Sequence, residues 1–103
     1  MSKNIGEKIR QIRELKGYSQ EYISNKLGVS QRAYSKIERN ERRVTIELLE
    51  KISVIFKVNK RDLMICYYSD LIVNQIECEN DYSEILQTAK NKILNANRKS
   101  IAK

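Results

Sequence analysis

Residues 18–40 read Tyr18-Ser19-Gln20-Glu21-Tyr22-Ile23-Ser24-Asn25-Lys26-Leu27-Gly28-Val29-Ser30-Gln31-Arg32-Ala33-Tyr34-Ser35-Lys36-Ile37-Glu38-Arg39-Asn40, and the fold turns on this stretch. Ser19 is a strong N-cap type, so a short helix is expected to start after it and run to about Leu27, with Ile23 and Leu27 facing inward. Gly28 forces a tight turn, because glycine takes positive φ without steric penalty. Ser30 then caps a second short helix whose inner face carries Ala33, Tyr34 and Ile37. Two short helices joined by Gly28-Val29-Ser30 make a helix-turn-helix unit. Asn40 closes the second of them, since asparagine also tolerates the left-handed region.

Working outward, Ile5, Ile9, Ile12 and Leu15 recur at helical spacing on the N-terminal side. Asn4 caps that helix, Glu7 completes a capping-box-like pair, and Gly17 ends it. On the other side, Thr45 caps a helix through about Phe56, with Leu49, Ile52, Ile55 and Phe56 apolar. Asn59 caps a short fifth helix bearing Leu63 and Met64. Beyond residue 66 the pattern weakens. The β-branched run Leu71-Ile72-Val73-Asn74-Gln75-Ile76 predicts a short strand, with a helix as the alternative. Glu77 to Asp81 read as polar loop and cap. Tyr82, Ile85, Leu86, Ala89, Ile93 and Ala96 then form a helical apolar stripe, and residues 97–103 are expected to fray. With no proline and three glycines in 103 residues, the expected class is all-α. Residues 1–67 form a five-helix helix-turn-helix domain in this reading, and 68–103 a C-terminal extension ending in an amphipathic helix.

Charge separates the same two regions. Residues 1–43 carry 11 Lys and Arg against 5 Asp and Glu, residues 44–65 carry 4 against 3, and residues 66–103 carry 5 against 5. The net charge of +7 therefore sits at the front, and a basic module of this kind calls for an anionic partner. Two cysteines, Cys66 and Cys78, are too few for a disulfide framework or a zinc site, and histidine is absent. No cofactor is implied. No run approaches the about 18 apolar residues of a membrane span. The start, MSKNIGEK, lacks the apolar stretch of a signal peptide. The expected setting is the cytoplasm. An enzyme is disfavoured by the missing histidine, the missing glycine-rich phosphate loop and a chain too short to shape a deep pocket.

A helix that reads DNA must present donors and acceptors to base edges in the major groove. On the second helix of the unit, Gln31, Arg32, Ser35 and Lys36 occupy the outer positions, while Ala33, Tyr34 and Ile37 occupy the inner ones. Glutamine suits adenine, arginine suits guanine, and lysine reaches guanine or phosphate. Phosphate contact or plain solvent exposure is the alternative for Gln31, Arg32 and Lys36, and a spectator role is the alternative for Ser35. Arg39, Arg42 and Arg43 follow as candidate phosphate contacts that set register without reading sequence.

Residues 18–40 resemble the DNA-binding unit of the Cro/Xre family of phage and bacterial repressors, and the resemblance extends over about residues 5–65. It rests on Ser19-Gln20 opening the first helix of the unit, on Ser24 as the small residue where helices cross, on Gly28 in the turn, and on Ile37-Glu38 near the end of the reading helix. Asn40 departs from the family's usual glycine and Val44 from its frequent proline. The resemblance implies a lambda-repressor-like fold and binding to double-stranded DNA. It further implies that Gln20 approaches a phosphate at a helix N-terminus. It also implies that Arg13 and Glu38 form a structural ion pair beneath the reading surface. Relatives of this architecture set two reading helices about 34–36 Å apart on one face of the duplex. A homodimer is therefore expected, with the apolar stripe of residues 82–96 or the 71–76 segment as its pairing element. A protein partner at the C-terminal segment, as in an antitoxin or a scaffold, is the competing expectation.

Overall fold

The computed structural model describes residues 4–101, with side-chain surroundings for 4–97. Helices are the regular structure among them: α1 (Ile5–Leu15), α2 (Gln20–Leu27), α3 (Gln31–Glu38), α4 (Ile46–Phe56), α5 (Lys60–Ile76) and α6 (Tyr82–Ile101). No strand occurs among the described residues. The described residues fall into two compact units that divide between Leu71 and Ile72, inside α5.

In the first unit each helix start is built by one side chain. Asn4, Ser19, Ser30 and Thr45 all have extended backbones, and their side chains accept from the N–H groups of Glu7, Tyr22, Ala33 and Leu48. Such caps are each worth about 1 kcal/mol. The helix ends share a second device. After α1, α2, α3 and α4 the chain reverses through a left-handed residue: Gly17 (φ 77°), Gly28 (φ 74°), Asn40 (φ 59°) and Lys57 (φ 57°). The following N–H then reaches back to the helix: Tyr18 to Arg13 O, Val29 to Ser24 O, Glu41 to Lys36 O and Val58 to Ser53 O. Lysine is an unexpected residue in this role, and no local signal marks it.

The reversals pack the helices around Ile9, Ile23, Tyr34, Ile37, Leu49, Ile52, Phe56 and Leu63, all fully buried or nearly so. Val44, in the connection before α4, is buried and belongs to the core. Leu15, although in phase with Ile5, Ile9 and Ile12, is 80% exposed. Gly6 lies against the end of α3. A Cβ there would come within 2.5 Å of Ile37 O and 2.7 Å of Glu38 O. The N–H of Gly6 donates to Asn40 Oδ1 at 3.2 Å, and the N–H of Ile5 donates to Asp70 Oδ2 at 2.7 Å. Side chains distant in sequence thus satisfy two N–H groups in the first turn of α1, where no intrahelical acceptor exists.

The strand expected at 71–76 is not formed, and the short fifth helix expected around Leu63 is instead the 17-residue α5. Leu63 is buried, while Met64, Cys66 and Tyr67 pack partly buried against the core. This helical phase seats the first half of α5 on the domain, and Asp70 ties it to α1. Once a helix is nucleated, each further residue adds a hydrogen bond at small cost, and the weak strand preference of Ile72 and Val73 is overridden.

In the second unit α5 ends at Ile76, a turn follows, and α6 runs to Ile101. α6 extends to Ile101, over most of the residues expected to fray, and 102–103 lie outside the described residues. No side chain from Ile72 to Asn97 is fully buried. Ile72, Val73, Tyr82, Leu86, Ile93 and Leu94 are among its exposed large apolar residues. An apolar cleft of about 260 Å³ is lined by Ile72, Val73, Ile76, Glu77, Tyr82 and Leu86. No described helix is long and apolar enough to cross a membrane.

Candidate nucleic-acid interface

The site is best built from its underside. Arg13, on α1, donates through Nε to Glu38 Oε2 at 2.7 Å and through Nη2 to Glu38 Oε1 at 3.1 Å. This is a two-pronged pair between the first helix and the last residue of α3. The Glu38 side chain is 1% exposed and the Arg13 side chain 12%. Arg13 also donates through Nη1 to Tyr18 O at 2.8 Å, which holds the start of the α1–α2 connection. Gln20 Nε2 adds a third bond to the carboxylate, at 3.0 Å from Glu38 Oε1. One carboxylate therefore gathers α1, α2 and α3.

The electrostatics follow from that arrangement. Burial alone would push the Glu38 carboxyl up, but the hydrogen bonds it accepts, Arg13's foremost, outweigh burial and hold it below the ordinary carboxylate range. The hydrogen bond to Glu38 raises Arg13 above its usual value. Tyr34 lies against the same pair. Burial, and then the Glu38 carboxylate, push its phenol well above the ordinary value, so it stays protonated. Its hydroxyl is fully buried and finds no hydrogen-bond partner among the described residues.

With its inner side fixed, α3 turns the other side outward. Gln31 and Arg32, in the first turn, are exposed, while Ser35 and Lys36 are half-buried. The carbonyl of Lys36 accepts from Glu41 at 2.8 Å and from Arg42 at 3.3 Å, so the chain leaving α3 folds alongside this residue. Arg39, Arg42 and Arg43 are exposed in the connection to α4, and Arg39 Nε meets Glu41 Oε2 at 2.6 Å. The structure thus brings Gln31, Arg32, Ser35, Lys36, Arg39, Arg42 and Arg43 onto one continuous segment. Gln20, from α2, is joined to the same segment through its bond to Glu38.

Three features escaped sequence reasoning. Asn40 not only takes the left-handed turn but also caps α1 through its side chain. Gly6 is the close-approach point of α1 on α3, and its only sequence signal is an isolated glycine within a helical pattern. Glu41 stands among arginines without any motif to mark it. Tyr18 and Tyr22 stack on each other with ring centroids 4.9 Å apart, and Tyr18 also stacks on the buried Phe56. Among the described residues no group of three His, Cys, Asp or Glu could hold a metal ion.

Comparison with known proteins bears on the same region. The family model described as Helix-turn-helix matches residues 9–63. The HTH-type transcriptional regulator SinR of Bacillus subtilis (strain 168) is 39% identical over 61 residues, which are 58% of this chain and 55% of SinR. The chain thus spans about half the length of that relative. A crystal structure of SinR, the master regulator for biofilm formation, in complex with DNA superposes with a TM-score of 0.54 at 39% identity, over 58% of this chain and 97% of that one. A complex of SinR protein with SinI protein superposes with a TM-score of 0.54 at 25% identity, over 96% of this chain and 99% of that one.

Proposed function

The chain belongs to the helix-turn-helix family, and from that premise we propose that it is a sequence-specific regulator of transcription that binds double-stranded DNA, acting as a dimeric repressor on a pseudo-palindromic operator in the cytoplasm. The observation that carries this reading is the division of α3 into two sides. Glu38, bonded to Arg13 and Gln20, anchors the buried side, and the N-terminal half of the same helix presents Gln31 and Arg32 to solvent. A reading helix needs this combination of a rigid seat and free donors near its start. The SinR domain that was solved on DNA is 39% identical over this part of the chain.

Gln31, Arg32, Ser35 and Lys36 are the proposed base-reading residues. Arg39, Arg42 and Arg43 are the proposed phosphate contacts, and Gln20 supports a phosphate near the start of α2. Selecting bound sequences from a random DNA pool tests the reading. The expected product is a two-half-site motif about one helical turn between centres. Affinity should fall steeply between about 50 and 200 mM salt through counterion release. Arg32→Ala should cost about 1–3 kcal/mol and relax preference at one base step. A pool that yields no motif, with binding indifferent to salt, would defeat the proposal.

The C-terminal unit supports the dimer. Its helices leave Ile72, Val73, Tyr82 and Leu86 exposed at an apolar cleft, and Ile93 and Leu94 exposed further along α6, and apolar surface of this extent favours a covering partner. A second copy meets the two-half-site requirement. The alternative occupant is a different protein, as in an antitoxin or a scaffold. The superposition on a SinR–SinI complex over 96% of this chain favours keeping that reading open. Sedimentation of the chain, free and on DNA, separates the two: a dimer at micromolar concentration supports the homodimer, and a monomer in both states supports the foreign partner.

A further inference from the structure

Residues 31–43 carry five cations, Arg32, Lys36, Arg39, Arg42 and Arg43, and two acids. One acid, Glu38, is buried and committed to Arg13. The other, Glu41, is exposed, and its Oε2 lies 2.6 Å from Arg39 Nε. The side chains are 58% and 55% exposed, so folding does not depend on their contact. The backbone nevertheless favours it. Arg39 caps the end of α3, Asn40 takes the left-handed conformation, and the N–H of Glu41 returns to Lys36 O at 2.8 Å. This tight reversal sets residues 39 and 41 side by side. The two form an ion pair without an aligned hydrogen bond, and a carboxylate this close offsets the charge that a phosphate would meet.

We infer that Glu41 is a built-in substitute for phosphate. In the DNA-free chain it holds Arg39, and a DNA phosphate must displace it. This rests on the proposed DNA-binding reading and adds a positioning residue to it. Because Arg39 exchanges one anion for another, binding gains less there than a bare arginine would provide, and fewer counterions are released. The exchange is the same for every base sequence. Glu41 therefore sets overall affinity and salt dependence, and leaves sequence preference to α3.

The test is fluorescence anisotropy with a short labelled duplex of random sequence. It uses the full chain, Glu41→Gln, Arg39→Gln and the double variant, from about 50 to 200 mM salt. Thermal melts by circular dichroism check that all four proteins keep one fold. Glu41→Gln should bind about two- to fivefold tighter at the low-salt end, the size of an exposed ion pair. Its salt slope should steepen by about one unit. Made on the Arg39→Gln background, the same change should alter affinity by less than about a factor of two. An equal gain with and without Arg39 would mean that only the general field has changed, and would overturn the inference. So would no gain at all from Glu41→Gln. If the wild-type chain binds no duplex at any salt, the DNA reading itself falls and the inference falls with it. A wild-type chain that binds, beside an unresponsive Glu41→Gln, removes the role of Glu41 alone.

Discussion

The two units of this chain spend their apolar residues differently. In the first, Ile9, Ile23, Tyr34, Leu49, Ile52 and Leu63 are completely buried, and helix ends are closed by caps, left-handed reversals and the Arg13–Glu38 pair. In the second, a comparably apolar set from Ile72 to Leu94 remains exposed and no side chain is fully buried. Hydrophobic burial supplies most of the driving force for folding, so the first unit contains the means of its own stability and the second lacks them. The contrast teaches that helix content alone does not report self-sufficiency.

The contrast is sharpened most by breaking the first unit at its ion pair. Arg13→Ala leaves Glu38 charged and buried without its partner, and should cost about 3–5 kcal/mol in urea unfolding. The pair also ties stability to pH. Because the folded carboxyl lies below its ordinary range, its contribution is complete above the unfolded-state pKa and is lost as pH falls through the folded one. The stability gap between the chain and Glu38→Gln should therefore narrow as acid is added below about pH 4.5. A gap constant from neutral pH into that range would show that the pair is not what holds α1 to α3.

Gly6→Ala is the next largest. In an ordinary helix this change is stabilising, by about 0.5–1 kcal/mol. Here the new methyl group would overlap backbone carbonyls of α3, and we expect a loss of about 1–3 kcal/mol. The sign of the change in denaturant midpoint decides. Asp70→Ala should cost about 0.5–2 kcal/mol, the range for losing a helix cap. The smallest effect on folding is expected in the second unit. Leu86→Lys should move the unfolding of the first unit by no more than about 0.5 kcal/mol. Under the proposed pairing it should nonetheless shift sedimentation from dimer toward monomer. A large loss of stability from Leu86→Lys would erase the contrast.

Much of the first unit was legible because its signals are local. Asn4, Ser19, Ser30 and Thr45 announce helix starts within three residues, and Gly17, Gly28 and Asn40 announce ends within one turn. The inner and outer sides of α3 followed from helical phase, although Ser35 and Lys36 are half-buried. What could not be read depends on residues far apart. The seat of Gly6 on Ile37, the bond of Asn40 to α1 and the bond of Asp70 to Ile5 span separations that no window covers. The strand expected at 71–76 failed for the same reason. Side-chain branching at Ile72 and Val73 is a local preference, whereas the helix is imposed by the docking of Leu63, Tyr67 and Asp70 upstream. Lys57 in a left-handed turn gave no signal because the conformation is set by the chain's need to reverse there.

The hydrogen bond from Ile5 to Asp70 has one more consequence. The first amide of a helix ordinarily trades its hydrogen with water at once, having no acceptor within its own helix. In this chain that amide is shielded by a carboxylate 65 positions downstream, on the helix that continues into the second unit. Deuterium uptake at Ile5 thus becomes a remote gauge of α5. Any event that loosens this helix near Asp70 should be written at the front of the chain as faster labelling of a single site.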